Sequence, residues 1–505
     1  MFKINPEEIK TLIKEKIENF KLKALSSDYG KVIFIDNDIA FVCGLNEVML
    51  DELISFNNDV YGIVIDLKTD FIGVALLNNN FQIKEGDFAY RTKKIFEVPV
   101  GNELIGKIIN PLGIDLNTKQ IIKTKKKIQL EKEPSAIIKR DKINYPIETG
   151  IKIIDSLIPI GKGQRELIIG DRQVGKTTIA IDIILNQKDK NVMCIYTAIG
   201  QKNSNIISIY QKLKSYNAME YTTIVSSSAS DSVTMQYITP FAAMSIAEEW
   251  LENGKDVIII FDDLTKHAIA YRTISLLLNR PSGREAYPGD IFYLHSRLLE
   301  RSCKLNANYS GGSITAIPII ETQNNDISSY IATNVISITD GQIFLTTDLF
   351  NSDIKPAINI GLSVSRIGSS AQFPMMKQVS KSIKISLANY NEISSFSKFG
   401  NSFFNDEKSK NIINRGKILT EYFKQKENEL FSSVHQCISL LLINKGCFDF
   451  INSKKINKIL KNFFVFLENK NPEIEKKLFE NKKISIEIEN KILEIFKNFS
   501  LHYEI

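Results

Sequence analysis

Cysteine, tryptophan and histidine are all scarce here: 505 residues hold five cysteines, one tryptophan and four histidines. The cysteines (Cys43, Cys194, Cys303, Cys437, Cys447) are scattered, with no C-x-x-C pair. That spacing offers neither a disulfide framework nor a zinc site, and it fits a reducing compartment. Long apolar runs are missing too. None approaches the roughly 20 residues that span a bilayer, and the N-terminus has no apolar h-region. Glu7, Glu8, Glu15 and Glu18 argue further against an organelle transit peptide. Any membrane role is therefore expected to come through partners. Nor does one sign of charge dominate. The 64 basic and 58 acidic residues leave +6, too diffuse over this length to argue for nucleic acid. The densest basic run, Lys123-Thr124-Lys125-Lys126-Lys127, reads as a solvated turn.

Core material is plentiful. Hydrophobic residues make up 43% and charged residues 24%, as in an ordinary soluble protein, and the length suggests about three domains. The richness in Lys, Ile and Asn reads as the base bias of an AT-rich genome.

One stretch organises the rest: Gly170-Asp171-Arg172-Gln173-Val174-Gly175-Lys176-Thr177, preceded by the apolar Leu167-Ile168-Ile169 and followed by a helical pattern from Thr178 to Leu185. Strand, glycine loop and helix are the context in which G-x-x-x-x-G-K-[ST] becomes a P-loop. Glycines 170 and 175 let the backbone curl so that successive N–H groups face phosphate oxygens, helped by the positive end of the helix. Lys176 would reach the β- and γ-phosphates, and the Thr177 hydroxyl would join the shell of a Mg²⁺ ion. The expected cofactors are ATP or ADP with Mg²⁺.

Along the chain, Asn5-Pro6 opens an amphipathic helix within residues 1–25, with Ile9, Leu12, Ile13, Ile17 and Phe20 on one face. With no domain of its own to pack on, it is read as offered to another protein. Residues 26–98 carry short β-rich runs (Val32–Ile35, Ile39–Val42, Gly62–Ile65, Ile72–Leu77) split by Asp/Asn turns, which predicts a small antiparallel barrel. Residues 99–375 form a RecA-like α/β nucleotide domain, with buried parallel strands at Val192–Tyr196, Thr222–Val225 and Val257–Phe261. The last runs into Asp262-Asp263. A carboxylate at that strand tip suits a Walker B aspartate holding Mg²⁺ through water; a helix cap is the competing reading, and Asp263 fits it. From about Lys381 the spacing of Ile456, Leu460, Phe463, Phe464 and Leu467 predicts a C-terminal helical bundle, residues 376–505.

Several motifs then act together. Gly161-Lys162-Gly163-Gln164-Arg165-Glu166 running into the P-loop, Ala198-Ile199-Gly200-Gln201-Lys202, Arg280-Pro281-Ser282-Gly283-Arg284-Glu285-Ala286-Tyr287-Pro288-Gly289-Asp290, Glu321-Thr322-Gln323 and Gly361-Leu362-Ser363-Val364-Ser365-Arg366 resemble the alpha chains of F-type ATP synthases. The likeness covers nearly the whole chain, is tightest between about 146 and 372, and fades after about 425. It implies a hexamer alternating with beta subunits around a gamma rotor. It also implies a delta subunit and peripheral stalk at the N-terminal helix, and a peripheral location on the cytoplasmic face of a bacterial plasma membrane, linked to it through the ion-translocating sector. At the glutamate position of the catalytic beta subunit the resemblance places Gln201. An amide can orient water but cannot take its proton at neutral pH, so this site is expected to bind Mg-ATP and leave it intact. The competing reading is that Gln201 merely packs and another acid serves, for which Asp171, Glu321 and Asp326 are available. Arg366 matches the family arginine that reaches the beta-bound γ-phosphate, with Ser363 and Ser337 at the same interface.

The resemblance also shows departures. The family Arg-Pro beside the adenine is Lys355-Pro356, and the Gln-x-Gln that closes over the base is Gln425-Lys426-Glu427. A weaker or less selective adenine end is expected. A stand-alone motor of the same fold would carry Glu in place of Gln201. An RNA translocase would want exposed aromatics among basic residues before residue 100, where acidic residues occur throughout instead. A purely structural subunit would not need Gly175-Lys176-Thr177.

Overall fold

The computed structural model describes residues 28–57, 60–77, 83–397 and 407–502. The predicted helix within 1–25 lies outside them. The described residues fall into two compact units.

In the first, six strands close into an antiparallel barrel: β1 (Tyr29–Asp36), β2 (Ile39–Cys43), β3 (Glu52–Phe56), β4 (Tyr61–Leu67), β5 (Ile72–Leu76) and β6 (Phe88–Ile95). Their order around the barrel is β1-β2-β5-β4-β3-β6. The β1–β2 hairpin turns at Asn37, whose φ of 49° is the left-handed conformation that a two-residue hairpin demands. Val32, Val42, Ile54, Val64 and Val74 fill the interior. β6 was hidden in the sequence by Arg91, Lys93 and Lys94, whose charges break any apolar alternation. Arg91 in fact turns inward. Its Nε and Nη2 each lie 2.9 Å from the carboxylate of fully buried Glu52, which also accepts from the Met49 and Lys93 amides. Burial alone would push the Glu52 carboxyl up; the Arg91 guanidinium and the two amides outweigh it and hold it below the usual range. Arg91→Ala leaves that buried charge unpaired, and denaturant unfolding should show a loss of about 3–5 kcal/mol. A loss under about 1 kcal/mol would mean that the pair is not buried in solution.

The second unit is built on eight strands. Their ranges are Ile108–Ile109 (β8), Leu167–Gly170 (β12), Val192–Gln201 (β13), Thr222–Ser228 (β14), Asp256–Asp262 (β15), Ser313–Glu321 (β16), Gly341–Leu345 (β17) and Val364–Ser365 (β18). Four short strands, β7 (Glu97–Val100), β9 (Lys126–Gln129), β10 (Pro146–Ile147) and β11 (Ile160–Gly161), pair off as β7-β9 and β10-β11. The main sheet runs β18-β17-β12-β16-β15-β13-β14-β8, parallel throughout except for β18. The helices along this part of the chain are α1 (Lys152–Leu157), α2 (Lys176–Leu185), α3 (Asn203–Ser215), α4 (Val233–Glu252), α5 (Leu264–Leu277), α6 (Ile291–Leu299), α7 (Tyr330–Ile338) and α8 (Thr347–Asn351). Strands buried on both faces explain why β12, β14, β15 and β16 read as unbroken apolar or small-residue runs.

Beyond the sheet come α9 (Pro374–Ser397), α10 (Glu407–Phe423), α11 (Ser433–Asn444), α12 (Ile456–Lys470), α13 (Pro472–Asn481) and α14 (Ile486–His502). The helical region starts at Pro374, ahead of the expected Lys381, because proline suits the first turn of a helix. Ile456, Leu460, Phe463, Phe464 and Leu467 are all buried, and Phe463 meets Phe496 and Phe499 edge to face. Lys152 of α1 ties the bundle to the sheet. Its ammonium donates to the Tyr422 carbonyl at 2.5 Å and to Asn457 Oδ1 at 3.1 Å. Among the described residues no helix is long and apolar enough to cross a membrane.

Candidate nucleotide site

The parallel sheet delivers its chemistry to one edge. Residues 171–175 form the loop between the C-terminal end of β12 and the N-terminus of α2. In this loop the two glycines serve different needs. Gly175 has φ of 99° and open space where a Cβ would stand, which suits backbone that must face a ligand closely. Gly170 needs no special dihedral; a Cβ there would sit 2.6 Å from the Leu345 carbonyl of β17. Its smallness serves the sheet rather than the curl. Val174 is buried, Gln173 has φ of 62°, and exposed Arg172 is paired with Glu321 at 3.0 Å. Lys176 is buried, with its ammonium folded onto the loop's own Gly170 and Asp171 carbonyls at 2.8 and 2.5 Å. Burial lowers its pKa from the usual value against the pull of Glu321, Asp263, Asp262 and Asp171.

Two strands over, β15 ends at Asp262, which accepts three bonds. Thr177 Oγ1 and the Tyr196 hydroxyl donate to Oδ2 at 2.7 and 2.6 Å, and Gln201 Nε2 donates to Oδ1 at 3.0 Å. Thr177, Asp262 and Gln201 therefore stand together. Gln201 lies at the very end of β13, which runs five residues past the predicted Tyr196. Asp263 takes the capping role: its Oδ1 accepts from the Lys266 amide at 2.8 Å in the first turn of α5. Burial pushes its carboxyl up to about 7, but the group is enclosed and turned to the helix. The other acids are also engaged. Asp171 accepts from Thr322 and Asn325, Glu321 holds Arg172, and exposed Asp326 accepts from Ser328.

A cavity of about 760 Å³ opens beside the loop, lined by Gly175, Thr178, Lys355, Pro356 and Gln425 among others. Lys355 lies over the Phe350 ring at 4.9 Å, so a cation still faces an aromatic there. Gln425 is less free than the sequence suggested. Its amide donates to the Gly150 and Glu429 carbonyls and accepts from the Lys152 amide, so it builds the wall. Glu427 stays exposed, 3.7 Å from Lys212.

With this geometry in view, the comparisons decide the family. The nucleotide-binding domain of the ATP synthase alpha/beta family matches residues 150–365, its C-terminal domain residues 372–499 and its β-barrel domain residues 25–93. The ATP synthase subunit alpha of Mycoplasma genitalium is 49% identical over 486 residues, 96% of this chain and 93% of that one. ATP synthase subunit alpha 1 of Mycoplasmopsis pulmonis is 50% identical (97% and 93% covered). The Petrotoga mobilis subunit alpha is 47% identical (98% and 99% covered). The chain belongs to the ATP synthase subunit alpha family.

In this alpha-family chain Arg366 follows the edge strand β18, away from the loop and outside the cavity lining. It is exposed; Nη2 makes one long contact, 3.4 Å, to the Ile336 carbonyl, and its amide donates to Asp340 O at 2.8 Å. Ser337 stands next to Ile336, exposed, with its hydroxyl on Asn334 O. Ser363 sits differently. It is buried, donating to Asn359 O at 2.6 Å and accepting from the Phe344 amide, which pins the turn leading to Arg366.

Two residues escaped the sequence reading. Asp182 faces the cavity from α2, and burial pushes its carboxyl up to about 6. The signal was a lone acid in an otherwise apolar helical run. Lys152 had no such signal, since its partners lie about 270 residues away.

Proposed function

We propose that this chain is the alpha subunit of a rotary ATP synthase, that it holds Mg-ATP without hydrolysing it, and that it lends Arg366 to the catalytic site of a neighbouring beta subunit. The loop amides of 170–175 would bind the phosphates. Lys176 would turn from the Gly170 and Asp171 carbonyls to the β- and γ-oxygens. Thr177 would bind Mg²⁺ directly and Asp262 through water. The residues fit that ion: a hydroxyl and a carboxylate oxygen 2.7 Å apart are hard donors of the kind Mg²⁺ prefers. When bound, Mg²⁺ would neutralise part of the phosphate charge. Ser337 and Ser363 would shape the face that Arg366 presents, while Lys355, Pro356 and Gln425 would flank the base.

The observation that carries the reading is Gln201. It occupies the strand tip beside Asp262 with its amide donating to that carboxylate. A carboxamide cannot take a proton from water at neutral pH, because its nitrogen lone pair is delocalised into the carbonyl and its oxygen is only very weakly basic. Membership of the family supports the wider setting. Beta subunits, a gamma rotor, and a delta subunit with peripheral stalk would complete a complex on the cytoplasmic face of a bacterial plasma membrane, coupled to translocation of protons or sodium ions.

The test is the fate of bound nucleotide. The purified chain is loaded with Mg-ATP, freed of excess, and assayed for ATP and ADP over hours. Retained ATP is expected. Steady turnover by the chain alone, free of contaminating ATPase, would make it a motor in its own right and sink the role given to Gln201.

A further inference from the structure

A second cluster of ligating groups lies in the C-terminal bundle, and none of its three residues lines the nucleotide cavity. His435 on α11, Glu468 on α12 and Glu475 on α13 converge from three different helices, with one ligand atom from each lying within 4.8 Å of the others. His435 Nε2 is 2.8 Å from Glu475 Oε1 and 4.0 Å from Glu468 Oε1. The imidazole stacks on Phe464 with centroids 4.1 Å apart and planes within 17°, and the His435 backbone amide donates to the Ser432 hydroxyl in the first turn of α11.

Charge makes the cluster unusual. In a chain rich in lysine, neither Glu468 nor Glu475 has a Lys or Arg nitrogen within 4.0 Å among the described residues; each faces only the same imidazole. One ring cannot balance two carboxylates. A surface pair needs no third member, and a bundle held by apolar packing needs none of the three.

We propose that His435, Glu468 and Glu475 bind a divalent transition-metal ion of the Zn²⁺ class, which ties α11, α12 and α13 together. One imidazole nitrogen and two carboxylate oxygens are a borderline donor set that suits Zn²⁺, whereas Mg²⁺ and Ca²⁺ favour oxygen alone. In a tetrahedral zinc shell the ligand atoms stand about 3.4 Å apart. The observed 2.8 and 4.0 Å bracket that value, and Glu468, whose side chain is 56% exposed, is free to swing in. The ion binds Nε2 of the neutral imidazole, whose one proton is then on Nδ1; a ring that starts protonated releases its second proton to solvent. The fourth position faces solvent and takes water, so the site is open.

The experiment uses the full-length chain, stripped with chelator and saturated with Mg-ATP so that the P-loop is occupied. It is titrated with Zn²⁺ by calorimetry and with Co²⁺ by absorption. One equivalent is expected, with a Co²⁺ spectrum that lacks a thiolate charge-transfer band, which separates the site from the cysteines. Zn²⁺ should raise the thermal midpoint and slow amide exchange in α11–α13. Glu468→Gln, an isosteric change at an exposed position, should weaken binding by about tenfold or more, and His435→Ala should abolish it. Three outcomes would each overturn the proposal: no binding at about 100 μM metal, binding unchanged in both variants, or a thiolate band.

Discussion

Arg366→Ala should abolish steady-state ATP turnover in a reconstituted alpha–beta assembly, by a factor of about 10³–10⁵, while the alpha chain still binds its own nucleotide. The size follows from what a guanidinium does at a loose phosphoryl transition state. Charge spreads over three equatorial oxygens, and a planar cation that donates in a fork stabilises it without reorganising. The fold fixes the base of Arg366 and leaves its tip exposed, which is what that role would require. The Arg366 amide is bound to Asp340 O, and the Asp340 carboxylate is gripped by Arg165 Nε and Nη2 at 3.0 and 2.8 Å. Next to it, Ser365 Oγ donates to Pro159 O and accepts from Gln164. Among the described residues the guanidinium makes one long hydrogen bond; its charge also acts on buried Glu166, and the side chain is exposed. Truncation should therefore leave the folded chain intact, with a stability change within about 0.5 kcal/mol. Arg366→Lys should recover little, because a point charge does not reproduce the fork. Turnover that stays within tenfold of the unaltered assembly would remove Arg366 from the chemistry.

What the sequence disclosed divides along the same line as local and distant contacts. The P-loop, the strand ending at Asp262 and the apolar face of α12 are set by neighbours a few positions away, so periodicity and glycine spacing expose them. Glu52 and Arg91 form a pair 39 residues apart, and Lys152 finds its acceptors about 270 residues on. No window along the chain joins those groups, and each looks like an ordinary surface charge. Ser363 and Gln425 show the opposite case. Motif position associates them with an interface and a base, but where they stand their polar atoms are spent on backbone groups. Gly170 was also read for the wrong need, because the Leu345 carbonyl that excludes a side chain comes from a strand 175 residues later.

Lys176→Met should separate nucleotide affinity from stability. In the wild-type chain the Lys176 ammonium is buried and held by the Gly170 and Asp171 carbonyls. Those two bonds offset a desolvation cost large enough to depress its pKa, so the ligand-free chain gains little from the charge. Methionine has similar length and no charge to desolvate, and the Gly170 carbonyl keeps a bond from the Thr322 amide at 3.1 Å. The ligand-free variant should unfold within about 1 kcal/mol of wild type. Toward Mg-ATP the balance reverses. A charge-assisted bond to phosphate contributes about 1.5–3 kcal/mol, and two of them at about 1.4 kcal/mol per decade amount to about 10²–10⁴ in affinity. Saturating Mg-ATP should raise the thermal midpoint of the wild type through mass action and leave that of Lys176→Met almost unmoved. Calorimetric titration and thermal unfolding, run side by side on both chains, read the two effects independently. A variant that kept its ligand-induced stabilisation would show that the phosphates do not sit on the 170–177 loop. One that unfolded several kcal/mol early without ligand would make Lys176 a structural strut instead of a phosphate ligand.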